Sequence, residues 1–231
     1  MHTGSEQRRF PRYPIQLPIL HRLEVSGPTL AGVGWTRDLS EVGACVELPD
    51  LLRPHTSLRV RLRMDRGIVE SEAQVVWESE VQAAWAGKSG PAAGGVLHGI
   101  TFTQIGPEHQ RTLRELLSQD KRLLRPVLRV PVKVSVLCER QGQVGPPLCG
   151  WTSDISRAGL LLNLPEVVAT GTVLKLVLQP EDQPMIVEGM VVWVQPAHRQ
   201  SPGRAVQHGL RFTTLSWSSS LSLGLLLSVT H

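Results

Sequence analysis

One ten-residue segment occurs twice in this chain of 231 residues. Residues 34–43 have the sequence GWTRDLSEVG, and residues 150–159, which lie 116 positions later, have the sequence GWTSDISRAG. The flanking residues repeat as well, and Trp77 and Trp193 are separated by the same 116 positions. A repeat of this length indicates two copies of one folded unit. We therefore predict two domains of ordinary size, covering residues 1–120 and 121–231.

Two arginines, four residues apart, precede each copy of the repeated segment. The pairs are Arg8 with Arg12 and Arg125 with Arg129. The second arginine of each pair lies 26 residues before Asp38 in copy one and 25 residues before Asp154 in copy two. Copy one has a further arginine, Arg9, for which copy two has no equivalent. The two copies therefore share a pattern but are unequal in positive charge.

The remaining sequence of each copy predicts short strands and one helix. Residues 12–19 and 129–136 alternate apolar and polar residues after a proline, as a first or edge strand does. An apolar run follows the repeated segment in each copy, and residues 58–62 alternate strictly. Short strands of this spacing between glycine and proline turns indicate a small antiparallel barrel of five or six strands. Each copy ends in apolar residues at helical spacing, and these are Leu113, Leu116, Leu117, Leu223, Leu226 and Leu227. We expect an all-β fold in which a helix flanks each barrel.

The charge of the chain permits an anionic ligand. The formal net charge is +4, and 20 of the 24 basic residues are arginine. Codon bias in the genome would explain this excess. Alternatively, some arginines bind planar anionic groups through forked hydrogen bonds that lysine cannot make. The overall composition leaves both explanations open.

Neither a metal site nor a membrane anchor is predicted. The three cysteines form no C-x-x-C pair and lack histidines at metal-ligand spacing, which favours a reducing cytoplasm. Residues 1–10 lack the apolar core of a secretory signal, and residues 221–229 are too few to span a bilayer. His98 and His208 precede a glycine in both copies and are interpreted as buried barrel residues. Trp35, Trp77, Trp151 and Trp193 are interpreted as core or rim packing.

The ordered pair of motifs, R-x-x-x-R followed by D-x-S-x-x-G, resembles the PilZ family of cyclic di-GMP receptors. The resemblance covers essentially the whole chain as two tandem PilZ-like domains. It implies two six-stranded antiparallel barrels, each followed by a C-terminal helix, and an N-terminal arm that closes the ligand against the barrel. It also implies that the chain is a receptor without catalytic activity or a cofactor, and that it signals to a protein partner in motility, secretion or regulatory machinery.

By this resemblance, each copy holds one ligand site. The predicted ligand-binding residues of copy one are Arg8, Arg9, Arg12, Asp38, Ser40 and Gly43. Those of copy two are Arg125, Arg129, Asp154, Ser156 and Gly159. An arginine fork fits phosphate oxygens or the O6 and N7 edge of guanine, and a carboxylate complements the N1–H and N2–H donors of guanine. The glycines are expected to give the turn a positive φ and to let the ligand approach closely.

Other functions remain open at this point. A PilZ-like scaffold that binds only proteins would keep the same fold. A small basic barrel can bind single-stranded nucleic acid, but the chain has only three phenylalanines and one tyrosine for stacking. An enzyme is disfavoured because the sequence has no Ser-His-Asp signature, no metal set and no phosphate-binding glycine loop.

Overall fold

The computed structural model describes the chain over the residues 10–23, 30–64, 67–80, 95–118, 129–142, 145–179, 184–196 and 205–229. The chain divides into two compact units. The first is formed chiefly by strands β1 to β6 and helix α1, and the second by strands β7 to β13 and helix α2. The predicted boundary between residues 120 and 121 lies outside the described residues.

The first unit is a closed six-stranded barrel. Its elements are β1 (Pro18–Leu23), β2 (Ala31–Ser40), β3 (Gly43–Leu48), β4 (Ser57–Met64), β5 (Gly67–Glu80), β6 (Val96–Ile105) and α1 (Pro107–Ser118). The strands follow one another around the barrel in the order β1-β2-β3-β6-β5-β4, and β1 pairs antiparallel with β4 to close it.

The second unit repeats this architecture. Its elements are β7 (Val130–Pro131), β8 (Ser135–Arg140), β9 (Leu148–Ser156), β10 (Gly159–Leu164), β11 (Val173–Gln179), β12 (Met185–Val194), β13 (Val206–Thr214) and α2 (Trp217–Val229). The strand order is β10-β13-β12-β11-β8-β9, and the pairing of β9 with β10 closes the barrel. The two-residue strand β7 pairs with β9 from outside this ring. The predicted fold, two six-stranded antiparallel barrels each followed by a helix, is confirmed.

Apolar side chains at alternate strand positions fill the interior of each barrel. In β4 the buried residues Leu58, Val60, Leu62 and Met64 alternate with arginines that lie nearer the solvent. Side chains at every second position of a strand share one face, so this pattern places one row of apolar side chains in the core. The six leucines predicted for the helices are all buried.

The first strand of each copy begins later than predicted. Residues 12–19 were expected to form it, but β1 starts at Pro18, and Tyr13 forms only an isolated bridge with Leu39. In this segment Leu17 N–H donates to the side-chain hydroxyl of Thr36 in β2, and not to a backbone carbonyl. The segment before β1 is therefore an arm, joined to β2 by the Thr36 side chain and by the backbone hydrogen bonds of Tyr13 with Leu39 and of Thr36 with Leu17. The prolines in it lack an N–H for a regular ladder.

Candidate functional site

A β-bulge directs the aspartate of each repeated segment to the outside of its barrel. In the first barrel Thr36 pairs with Val46 and Asp38 pairs with Cys45, which leaves Arg37 as the extra residue. Without the bulge, Thr36 and Asp38 would share one face of the strand, because side chains two residues apart point the same way. Thr36 and Val46 are fully buried. The inserted residue therefore turns Asp38 outward.

The second barrel has the same bulge. Thr152 pairs with Leu162 and Asp154 pairs with Leu161, so that Ser153 is the extra residue. Thr152 and Leu162 are buried like their counterparts in the first barrel. Both aspartates that the motif predicts as ligand residues therefore lie on the outer face of a barrel.

An arginine of the arm pairs with each aspartate. Arg12 Nη1 lies 2.9 Å from Asp38 Oδ1, and Arg129 Nη1 lies 3.1 Å from Asp154 Oδ1. These four side chains are between 23% and 36% exposed, so both pairs remain accessible to a ligand. Asp38 Oδ1 also accepts a hydrogen bond from the Cys45 N–H at 3.1 Å. The structure thus brings together residues that the sequence separates by 26 and 25 positions.

A buried threonine fixes the arm that carries each arginine. Thr36 Oγ1 accepts from Leu17 N–H at 2.8 Å and donates to the Ile15 carbonyl at 2.6 Å. In the second barrel Thr152 Oγ1 makes the corresponding bonds to Val134 N–H at 2.9 Å and to the Val132 carbonyl at 2.6 Å. Because each threonine lies two residues before the aspartate, one strand positions both partners of the ion pair.

The serines of the motif stabilise the turn after the aspartate. Ser40 Oγ donates to the Gly43 carbonyl at 3.0 Å, and Ser156 Oγ donates to the Gly159 carbonyl at 3.0 Å. Both serines are buried. Their hydroxyl protons are therefore engaged within the protein.

The expectation that the motif glycines adopt a positive φ was wrong. Neither Gly43 nor Gly159 has a positive φ; both are buried at the start of a strand. A Cβ atom at Gly43 would overlap the carbonyl oxygen of Ile100, and one at Gly159 would overlap that of Leu210. These glycines permit two strands to approach closely, which is a packing role.

A row of paired residues extends from the aspartate across each barrel. In the first barrel, Asp38 pairs with Cys45, Cys45 with Gly99, and Gly99 with Trp77. We call these four residues the outer row of the first barrel. A second bulge, with Val76 as the extra residue, turns Trp77 outward in the way that Arg37 turns Asp38. The indole covers Gly99, where a Cβ atom would overlap its Nε1.

The second barrel has an equivalent outer row, formed by Asp154, Leu161, Gly209 and Trp193. Trp77 is 38% exposed and Trp193 is 44% exposed, and Trp151, outside these rows, is 40% exposed, whereas Trp35 is buried. Trp77 and Trp193, the exposed indoles of the outer rows, were not identified from the sequence as part of the candidate site. The available signal was the glycine after His98 and after His208, which leaves room for the indole of the neighbouring strand.

The histidines are buried, as predicted. His98 Nε2 accepts from Leu52 N–H at 3.0 Å, and His208 Nε2 accepts from Val168 N–H at 3.0 Å. Burial lowers the pKa of both rings. Within the described ranges, no group of three or more His, Cys, Asp or Glu side chains is placed to hold a metal ion.

Three predicted ligand residues, Arg8, Arg9 and Arg125, lie outside the described residues. The other eight lie at the ion pairs, the turns and the strand starts of the two barrels. Of the two helices in the described part of the chain, neither is both long and apolar enough to cross a membrane.

The PilZ domain model matches this sequence twice, over residues 6–119 and 120–224. The chain belongs to the PilZ family. Each match covers one barrel, its arm and all or part of its helix, so this protein has two PilZ domains in tandem. A search of curated protein sequences finds no match.

Several solved structures resemble this tandem PilZ protein. The Bacillus subtilis inhibitor of motility (MotI/DgrA) is 9% identical, with a TM-score of 0.37 and coverage of 93% of this chain and 97% of that one. The K. pneumonia MrkH–c-di-GMP complex is 13% identical, with a TM-score of 0.37 and coverage of 90% and 85%. The PilZ domain of Escherichia coli YcgR with c-di-GMP is 18% identical, with a TM-score of 0.41 and coverage of 51% and 93%.

Proposed function

We propose that this PilZ protein is a receptor that binds cyclic di-GMP at the outer face of each barrel. The observation that carries the proposal is the ion pair between an arm arginine and an outward aspartate, made once by Arg12 and Asp38 and again by Arg129 and Asp154. Two barrels that differ at many other positions retain this pair. An exposed ion pair contributes little to stability, at most about 1 kcal/mol, so a binding role explains its repetition better.

The chemistry of the pair suits this ligand. Cyclic di-GMP presents two phosphates and two guanines. The guanidinium of Arg12 or Arg129 can donate a forked hydrogen bond to phosphate or to the O6 and N7 edge of guanine. The carboxylate of Asp38 or Asp154 can accept from guanine N1–H and N2–H. Affinity would then come mainly from the arginine and base identity mainly from the aspartate.

The exposed indoles offer a surface for stacking. Trp77 and Trp193 lie in the outer rows that contain Asp38 and Asp154. A flat aromatic face next to hydrogen-bonding groups is a common means of holding a base. We infer that each indole forms one wall of the guanine site, whereas the motif serines and glycines act by fixing the turn.

The arms connect ligand binding to signalling. Arg8 and Arg9 precede the first arm, and Arg125 lies only seven residues after the end of α1 at Ser118. The second arm is therefore also the linker between the two proposed domains, residues 1–120 and 121–231. We infer that ligand binding changes the arm and interdomain geometry that a protein partner recognises, without any catalytic step.

Titration calorimetry with cyclic di-GMP tests the binding proposal. We expect the wild type to bind, and Arg12→Ala, Asp38→Ala, Arg129→Ala and Asp154→Ala each to weaken one site by about 1 to 3 kcal/mol. Arg8→Ala and Arg125→Ala are expected to act in the same direction. Arg59→Ala is the control, since Arg59 makes an exposed contact of 3.9 Å with Glu72 on other strands. No heat with the wild type at high micromolar ligand would refute the proposal.

Solution scattering tests the signalling step separately. We expect the scattering profile of the tandem to change at saturating cyclic di-GMP, and Arg125→Ala to reduce that change. An unchanged profile in a sample that binds the ligand would leave the receptor proposal standing and refute the change in geometry.

A further inference from the structure

The two barrels differ at a pair of positions next to the proposed ligand site. In the first barrel, Arg37 Nε lies 3.6 Å from Glu47 Oε2. The corresponding residues of the second barrel are Ser153 and Asn163, and Asn163 Nδ2 donates to Ser153 Oγ at 2.8 Å. An ion pair in one domain is thus replaced by a neutral hydrogen bond in the other.

In each barrel the two side chains of the pair match in charge: both are ionised in the first barrel and both are neutral in the second. Glu47 and Asn163 are both buried, at 5% and 6% exposure, and a buried polar group requires a partner. Asn163 Nδ2 also donates to the Trp151 carbonyl at 3.1 Å. Removing the cation beside a buried carboxylate costs more than exchanging the whole pair for a neutral one. The two positions are therefore expected to change together, as they do between the two barrels.

The charged pair adjoins the ion pair of the proposed site. Arg37 is the bulge residue directly before Asp38, and Glu47 lies two residues after Cys45, on the outer face of β3. All four charged side chains affect the pKa of the Cys45 thiol. Burial and the carboxylates of Asp38 and Glu47 raise its pKa to about 11, against the opposing effects of the Arg12 and Arg37 guanidinium groups. Because Cys45 pairs with Asp38 and lies two residues before Glu47, the two ion pairs adjoin each other along β2 and β3.

We propose that Arg37 is an additional cationic ligand residue of the first site, held by Glu47, and that it makes this site the tighter and more salt-sensitive of the two. The inference rests on the proposed binding of cyclic di-GMP. Arg37 Nε faces Glu47 at 3.6 Å, its side chain is 23% exposed, and its planar fork carries further N–H donors. The second site has a neutral hydroxyl, on Ser153, at the same place.

The test exchanges the pairs between the domains of the full chain. One variant carries Asp154→Ala, so that the first site is measured, and then receives Arg37→Ser and Glu47→Asn together. The reciprocal variant carries Asp38→Ala and then receives Ser153→Arg and Asn163→Glu. Affinity for cyclic di-GMP is measured by calorimetry at about 50 mM and about 300 mM NaCl, a range over which screening increases strongly.

We expect each exchange to shift the affinity and the salt dependence of one site towards those of the other site. The first exchange should weaken binding by about tenfold at low salt, equivalent to about 1.4 kcal/mol, and reduce its salt dependence. The reciprocal exchange should strengthen binding at the second site and increase its salt dependence. Each exchange installs a pair that the other barrel already accommodates, and a thermal melt of each variant checks the fold.

Two outcomes would overturn the inference, and they are distinguishable. If the parent variants bind but neither exchange alters affinity or salt dependence, Arg37 and Glu47 form a structural pair only, and the receptor proposal is unaffected. If the wild type and the parent variants all fail to bind cyclic di-GMP, the receptor proposal fails and the inference fails with it.

Discussion

Asp38 and Trp77 lie at the two ends of one row of paired residues that crosses four strands of the first barrel. Each residue faces outward because a bulge directly precedes it, with Arg37 and Val76 as the inserted residues. Bulges re-aim side chains at the cost of a ladder hydrogen bond, and they are frequent next to binding sites. Their presence at both ends of the row, in both barrels, supports the proposal that the ligand binds at this face.

The contact between Gly99 and Trp77 gives a first prediction. Gly99→Ala should displace the indole, because the new methyl group would overlap Nε1, and it should weaken ligand binding at the first site. Gly209→Ala is the matched control, since the nearest atom to its new methyl group is Trp193 Cβ at 3.3 Å. Tryptophan emission and calorimetry measure the two effects. Equal changes in both variants would contradict the prediction.

The glycine of the motif has a packing role that mutation can test. Gly159→Ala should lower the free energy of unfolding by about 1 to 3 kcal/mol or more, because its methyl group would meet the backbone carbonyl of Leu210. Gly145→Ala should change it by no more than about 0.5 to 1 kcal/mol, since no atom lies within 4 Å of the place that its new methyl group would take. Denaturant unfolding of the two variants provides the comparison. A tolerated Gly159→Ala would indicate that the strands can separate at no cost.

The threonine that fastens the arm gives a third prediction. Thr36→Val keeps the shape of the side chain but removes both hydrogen bonds, and leaves Leu17 N–H and the Ile15 carbonyl without this partner. We expect a loss of about 2 to 4 kcal/mol of stability and weaker binding through Arg12. Thr36→Ser should retain most of both. Thr101→Val, at a threonine with one exposed bond to the Val42 carbonyl, should cost less than about 1 kcal/mol. A Thr36→Val protein as stable as Thr101→Val would contradict the prediction.

The sequence predicted the architecture well because its signals are local. Alternation in β4 and helical spacing in α1 are both contained within one element. Repetition of the whole pattern supplied the number of units. The start of the first strand was wrong because its cause is distant: Leu17 bonds to Thr36, a residue 19 positions away.

The geometry of the candidate site was predicted only in part for the same reason. The Arg12–Asp38 pair was found because both residues recur in the second copy. The bulge at Arg37 was not, because an inserted residue is recognised only from the register of the partner strand, β3. The positive φ expected for Gly43 was wrong, and its close packing was missed because the atom that excludes a side chain, the Ile100 carbonyl oxygen, belongs to β6. Trp77 becomes part of the row only through pairing with Gly99.

The cysteines should differ sharply in reactivity. Burial raises the thiol pKa of Cys45 to about 11 and that of Cys138 to about 12, whereas Cys149 is exposed. The thiolate is the reactive species, so iodoacetamide at neutral pH should modify Cys149 first in the folded protein. Mass spectrometry after a timed reaction measures this. Cys149→Ser should then remain largely unmodified until a denaturant is added, and rapid labelling of Cys45 in that variant would contradict its burial.

Stability should fall in mild acid because of the buried histidines. Burial lowers the pKa of His98 and His208, and each ring accepts a backbone N–H at Nε2, which requires the neutral form. Below the unfolded pKa of about 6.5, the unfolded chain binds protons that the folded chain does not. The free energy of unfolding should therefore decrease as the pH drops from about 7 through the window between 6.5 and the lower folded pKa values, and these groups should add no pH dependence above it.

Denaturant unfolding at about pH 7.5, 6.5 and 5.5 measures this dependence, and the midpoint should fall mainly between the two lower values. His98→Gln should flatten the curve, because one of the groups that binds a proton on unfolding is removed. His55→Asn is the control: His55 is exposed and has a φ of 70°, a conformation that asparagine tolerates, so this variant should keep the wild-type pH profile. A wild-type stability that is constant from about pH 7.5 to about 5.5 would show that the rings take up protons without leaving the barrel.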